Sequence, residues 1–115
     1  MDYKKPTVML LGRWQPFHNG HLALFEEAIK KTGQVCIMVR DTSGLDENNP
    51  FDFEYVKQKI EDHLLPKYKN KFEILLVPNI TNISYGRDVG YAIEEITLPK
   101  EIQDISATQI RNNLK

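Results

Sequence analysis

Two histidines, His18 and His21, follow an arginine, Arg13, inside a single short stretch: Gly12-Arg13-Trp14-Gln15-Pro16-Phe17-His18-Asn19-Gly20-His21. Each imidazole can donate an N–H to a phosphate oxygen, and Arg13 offers a planar fork of N–H groups. An apolar run at residues 7–11 precedes the stretch and an amphipathic segment at residues 22–31 follows it. The order is therefore strand, phosphate-binding loop and helix. Gly12 lets the backbone approach a ligand closely at the strand end, and Gly20 allows a tight turn into the helix. Pro16 stiffens the loop between them. His18 and His21 fall just before and at the first helical turn, where free backbone N–H groups and the helix dipole favour an anion. The chemistry implied is the holding of a polyphosphate. A metal site would need more ligands than this pair provides. The one cysteine, Cys36, lies mid-strand, and His63 sits on a helix as a solvated or packed side chain.

A second constellation lies near the C-terminus, in Ile105-Ser106-Ala107-Thr108-Gln109-Ile110-Arg111. Ser106 and Gln109 have the spacing of a capping box. A capped helix start still presents N–H groups, Thr108 adds a hydroxyl and Arg111 reaches back one turn, so the cap can itself be a phosphate site. Arg40 follows a buried strand and arrives, with Asp41, at the same carboxyl edge as the first loop. Arg87 and Asp88 carry no motif, and a salt-bridged turn explains them as well as a ligand does.

Gly-Arg-x-Gln-Pro-Phe-His-x-Gly-His resembles the first motif of the HxGH nucleotidyltransferases, a cytidylyltransferase-like superfamily. The Gly-Arg-x-Gln-Pro form is most similar to the archaeal-type nicotinamide-mononucleotide adenylyltransferases. Residues 105–111 resemble that superfamily's Ile-Ser-x-Thr-x-Ile-Arg, so the likeness spans nearly the whole chain, with the middle matching in outline. It implies a three-layer α/β fold, a Rossmann-like parallel sheet of five strands in the order 3-2-1-4-5, with both motifs at its carboxyl edge. It also implies transfer of a nucleoside monophosphate to a phosphate-bearing acceptor, with release of pyrophosphate. Such a reaction asks mainly for positioning and charge stabilisation, so no nucleophilic side chain is required.

The resemblance assigns catalysis to His18, His21 and Arg111, and nucleotide binding to Gly12, Arg13, Trp14, Phe17, Gly20, Arg40, Ile105, Ser106 and Thr108. It implies no protein-held metal: Mg²⁺ would arrive on the nucleotide, because it keeps most of its waters and rides on phosphate oxygens. Cytidylyltransferases of the superfamily usually place Arg-Thr-x-Gly before Ile-Ser-Thr. Here Lys100-Glu101-Ile102-Gln103-Asp104 stands there, which favours ATP over CTP. Nicotinamide-mononucleotide enzymes are longer, and much of the acceptor region is missing between Pro78 and Pro99. The acceptor therefore stays open among phosphate monoesters such as a flavin, pantetheine or sugar phosphate. A CTP-using enzyme and a nucleotide-binding module without chemistry are the alternatives; a purely structural protein would leave the histidines and arginines unexplained.

The elements that must position these residues follow from apolar spacing. Residues 7–11 read as a central strand buried on both faces, and residues 35–39 and 73–77 as two further strands. Leu22, Phe25 and Ile29 repeat at helical spacing, and Gly33 ends that helix. Asp52 caps a second helix bearing Phe53, Val56, Ile60 and Leu64, which Pro66 is expected to stop. Residues 42–51 form a long polar loop, either folded over a ligand or plain surface. Residues 83–85 and 92–98 read as a fourth and a fifth strand, the latter alternatively as a helical turn. The fifth would leave an exposed edge for a homo-oligomer to cover.

At 115 residues the chain is expected to form one domain. A charged fraction of 27%, a hydrophobic fraction of 41% and a net charge of −1 argue against a general nucleic-acid or membrane binder. With no apolar leader and a lone cysteine suited to strand packing, the expectation is a cytoplasmic protein.

Overall fold

A computed structural model describes residues 1–87 and 90–103. Its elements are β1 (Val8–Gly12), α1 (Asn19–Thr32), β2 (Val35–Arg40), α2 (Phe53–Tyr68), β3 (Phe72–Val77) and a single helical turn, α3 (Lys100–Gln103). The three strands are parallel in the order β1-β2-β3, with Leu10 opposite Ile37 and Ile37 opposite Ile74. This matches the 3-2-1 portion of the expected order. Residues 105–111, the second motif, lie outside the described residues, as does Asp88.

The core explains why these segments pair as they do. Val35, Ile37 and Val39 alternate along β2 and are all buried, facing Phe25 and Ala28 of α1 and Val56, Ile60 and Leu64 of α2. Both helices thus cover one face of the sheet. Leu22, Leu24 and Ile29 pack at the margin of the same cluster. Burying side chains of this size removes about 1.5–3 kcal/mol each from water, far more than helix propensity contributes.

Four expectations are corrected. β1 is an edge strand of the described sheet, not a central one, and Met9 is 46% exposed on it, because no described strand lies beyond it. Residues 83–85 and 92–98 form neither strands nor helix. Ile83 and Ile93 stay more than 60% exposed and only Ile96 touches the core, so these residues have no buried face to align them on a sheet. The described residues therefore make two layers, not three, and the second sheet face is open around Met9 and Leu75.

Pro66, finally, does not stop α2, which runs on to Tyr68. A proline inside a helix deletes its own N–H bond and crowds the carbonyl four residues back. That loss is offset where Tyr68 donates its hydroxyl to Glu26 at 2.5 Å and sets its ring against Phe25. Elsewhere the caps agree with the sequence: Gly33 is left-handed at φ 85°, and Asp52 accepts from the Tyr55 N–H.

Candidate functional site

The first motif folds around its own aromatic rings. Trp14 adopts a left-handed φ of 54°, which turns its indole inward, and its Nε1–H donates to the Met38 carbonyl of β2 at 3.0 Å. The ring lies so close to Gly12 that a Cβ there would come within 2.9 Å of it. Gly12 thus makes room for Trp14, where the sequence suggested room for a ligand. Trp14 and Phe17, both expected at the nucleotide, are 5% and 3% exposed and form the floor beneath the loop. Trp14 meets His21 edge-on at 4.8 Å, and Phe17 lies 5.4 Å from it.

On that floor the two histidines cap α1 and each other. Nδ1 of His18 accepts from the N–H groups of Gly20, at 3.0 Å, and His21, at 3.4 Å. Nδ1 of His21 accepts in return from the His18 N–H at 3.3 Å. This is a capping box built from imidazoles instead of Ser and Glu. The N–H groups expected to grip an anion are therefore partly occupied by the rings. What replaces them follows from proton bookkeeping: an Nδ1 that accepts carries no proton, so each neutral ring keeps its proton on Nε2. Among the described residues neither Nε2 is hydrogen-bonded. The rings stack at 3.7 Å and 20°, which presents two parallel N–H donors.

Burial keeps them neutral. Desolvation, then the neighbouring His18 and His63, pushes His21 down to about 3, and desolvation and His63 lower His18. Gly20 is essential to the cap, because a Cβ on it would stand 2.8 Å from Cε1 of His18. The same Cβ would come 3.5 Å from the Ile102 carbonyl, so α3 reaches the start of α1 just before the second motif begins.

Residues 42–51 are fastened to this loop. Gln15, 4% exposed, donates to the Phe51 carbonyl at 2.9 Å and accepts from the Phe51 N–H at 3.0 Å. Arg13 donates to Oδ1 of Asn49 at 3.3 Å, and Asn49 is itself oriented by Asp46. Arg40 donates to Oδ1 of Asn79 at 2.9 Å. The structure thus brings His18, Gly20 and His21 together at the start of α1, sets Gly12 against Trp14 and Arg13 against Asn49, and places Arg40 on the neighbouring strand end. Arg111, Ile105, Ser106 and Thr108 lie outside the described residues.

The sequence reading missed Gln15 and Asn49, and it left His63 open between a solvated and a packed side chain. His63 packs its ring edge-on against Phe17 at 5.3 Å and hydrogen-bonds the Lys59 carbonyl through Nδ1 at 2.8 Å. Its place three residues after buried Ile60 and seven after buried Val56 was the signal for packing inward. Cys36 is half-buried, and desolvation raises its thiol pKa, which suits packing and not nucleophilic chemistry.

A cavity of about 440 Å³ lies elsewhere, lined by Ala23, Glu26, Lys30, Lys67, Tyr68 and Ile102 among others. None of Arg13, His18, His21 and Arg40 borders it, and Glu26 makes it a poor host for phosphate. Among the described residues no three His, Cys, Asp or Glu converge as metal ligands. No helix among them is long and apolar enough to cross a membrane.

Residues 9–55 match the cytidylyltransferase-like family. Over 99 residues the chain is 32% identical to the nicotinamide-nucleotide adenylyltransferase of Methanococcus aeolicus, an alignment covering 83% of this chain and 54% of that protein. The chain spans about half the length of this curated relative. The matched stretch runs from β1 through the capped histidines to the start of α2. Across residues 9–55, then, the chain is similar to the cytidylyltransferase-like family.

Proposed function

We propose that this protein transfers a nucleoside monophosphate, AMP from ATP, to a phosphate-bearing acceptor. An acceptor phosphate oxygen attacks the α-phosphorus, the new P–O–P bond forms, and the bond to the β-phosphate oxygen breaks as pyrophosphate leaves. The observation that carries this reading is the reciprocal histidine cap, which engages both Nδ1 atoms and fixes both neutral rings in a stack, with neither Nε2–H hydrogen-bonded among the described residues. Two preorganised donors so placed can follow charge as it moves onto the α and β oxygens without reorganising. Arg13, steered by Asn49, holds the outer phosphates, and the resemblance of residues 105–111 to the superfamily's second motif assigns Ser106, Thr108 and Arg111 to the same triphosphate. Gly12 and Gly20 keep Trp14 and His18 in place, and Trp14 and Phe17 support the rings from below.

Magnesium is proposed as a companion of the triphosphate, because it keeps most of its waters and rides on phosphate oxygens. No step of the mechanism is assigned to it. The preference for ATP is supported by the adenylyltransferase relative and by the residues before Ile105. That relative's name makes nicotinamide mononucleotide the first acceptor to try. The protein is placed in the cytoplasm, where nucleoside triphosphates are made, and as a homo-oligomer that covers its open sheet face.

The test is pyrophosphate release with ATP or CTP, magnesium and nicotinamide mononucleotide. ATP should be turned over faster than CTP, and His21→Ala should cost ~10²–10³-fold in kcat, the effect of deleting one preorganised donor. Equal turnover by wild type and His21→Ala would remove the histidines from the mechanism, and faster turnover with CTP would make the enzyme a cytidylyltransferase.

A further inference from the structure

A reaction that joins two phosphates brings two anions to one sheet edge, and each needs cations of its own. The two arginines at this edge are held in the same unusual way. Arg13, just after β1, is oriented by Asn49, and Arg40, the last residue of β2, by Asn79 from beyond β3. A carboxylate would neutralise a guanidinium as it held it; an amide oxygen fixes the fork and leaves the charge available. The ion pairs among the described residues involve neither arginine. The loop 42–51 runs between the two, from Thr42 beside Arg40 to Asn49 on Arg13.

A second observation concerns the Arg40 end alone. Nε of Arg40 and Oγ1 of Thr42 are buried and have no hydrogen-bond partner among the described residues. Thr42 is only 3% exposed. Native folds rarely leave buried donors unmet, because each then loses its water bonds for nothing. Between the two residues the Asp41 N–H is tied to the Val77 carbonyl at 2.9 Å, so the backbone carrying them is pinned to β3. Both unmet groups can donate, and phosphate oxygens are acceptors of the kind they lack.

We propose that Arg40 and Thr42, with Asn79 orienting the guanidinium, form a second anion subsite that takes the acceptor's phosphate, apart from the triphosphate site of Arg13, His18 and His21. It rests on the nucleotidyl-transfer reading above and sharpens it: the acceptor is a phosphate monoester bound through its dianionic head. Arg40 therefore leaves the nucleotide-binding group in which the sequence placed it.

The test uses ribose 5-phosphate as the phosphomonoester probe and α,β-methylene-ATP with magnesium as the unreactive triphosphate. Binding is followed through the Arg Nε–H and backbone amide signals of the isotope-labelled full chain. With the triphosphate analogue saturating, ribose 5-phosphate should still bind and should move the Arg40 Nε–H and Thr42 signals. Arg40→Ala and Thr42→Val should each weaken ribose 5-phosphate at least 10-fold and change the analogue's affinity less than 2-fold; Arg13→Ala should do the reverse.

Thr42→Val also separates ligand binding from structural support. It removes a hydroxyl that the free protein leaves unpaired, so its melting temperature should stay level or rise while binding falls, and Thr42→Ser should restore binding. The subsite is refuted if ribose 5-phosphate leaves Arg40 and Thr42 unmoved, or if Arg40→Ala weakens both ligands equally. Failure of the analogue alone to bind would overturn the nucleotidyl-transfer reading, while the ribose 5-phosphate titration would still decide the subsite.

Discussion

Between Val8 and Val77 the apolar residues recur at strand or helix spacing and meet in one cluster, whereas between Pro78 and Ile102 similar residues stand in water. Phe25, Ile37 and Ile60 are fully buried in the first region; Ile83, Tyr85, Tyr91 and Ile93 are 61–71% exposed in the second. The two differ in what surrounds them and not in apolar character. In the first region β1 and β2 are each followed by a helix that returns across the same face, so the apolar stripe on that face finds another. In the second, the described residues offer no strand partner and just the single turn of α3; Glu94 pairs with Lys31 at 3.1 Å, Ile96 touches the core, and Leu98 and α3 come back towards α1. Hydrophobicity without a period and without a facing surface does not make an element.

The largest expected effect tests the first region. Phe25 is completely buried and sets its ring against Tyr68 and Phe72, the end of α2 and the start of β3. Phe25→Ala should destabilise the fold by ~3–5 kcal/mol, the cost of a large unfilled cavity. A denaturant midpoint within error of wild type would mean that the cluster is not the seat of stability, and the contrast between the regions would collapse.

Most of the fold up to Val77 was legible in the sequence for the same reason that it is stable: period and burial coincide there. The left-handed Gly33 and the Asp52 cap are local signals and were equally readable. What escaped was non-local. Gln15 bridging to Phe51, Arg13 to Asn49 and Arg40 to Asn79 join residues far apart in the chain through single side chains, which leave no periodic trace. Pro66 looked like a stop because its local rule is strong, yet Tyr68 beyond it is held by α1. At the site, the motif showed which residues matter, but not that His18 and His21 cap one another or that Gly12 serves Trp14.

The second effect concerns pH and belongs to the first region alone, where His18, His21 and His63 all lie. A base whose pKa falls on folding binds its proton more weakly in the folded chain. For His21, lowered from 6.5 to about 3, the stability contribution is complete above 6.5 and is lost as pH falls from there towards 3. The slope cannot exceed about 1.4 kcal/mol per pH unit for one proton. His21→Gln keeps a capping-box side chain and removes the titration, so its unfolding midpoint should fall less than that of wild type between pH 7 and pH 5. Identical pH profiles would place the acid sensitivity elsewhere.

A smaller effect probes the place where the two regions touch. Gly20→Ala puts a Cβ against the His18 ring and near the Ile102 carbonyl. Ala gains up to ~1 kcal/mol of helix propensity, while a broken cap loses ~1 kcal/mol, so the net change in stability should be under ~1 kcal/mol. Nucleotide binding should not be spared, because the ring that moves is the one that presents Nε2–H. Thermal shift of the free and nucleotide-loaded variant separates these outcomes, and undiminished binding would show that His18 need not be held by Gly20.

The smallest effect lies in the second region and decides what its apolar residues are for. Tyr91 and Ile93 are 71% and 65% exposed, so Tyr91→Ala and Ile93→Ala should each change the stability of the dilute protein by less than about 0.5 kcal/mol. Homo-oligomerisation gives the opposite signature at high concentration. A copy that covers these side chains or the open sheet face binds only the folded state, so the wild-type melting temperature should rise with protein concentration. If the second region forms part of that contact, the two variants should flatten the rise while leaving the dilute value alone. A melting temperature independent of concentration from micromolar to millimolar protein would reject self-association, and a large loss in the dilute variants would show that the second region is packed after all.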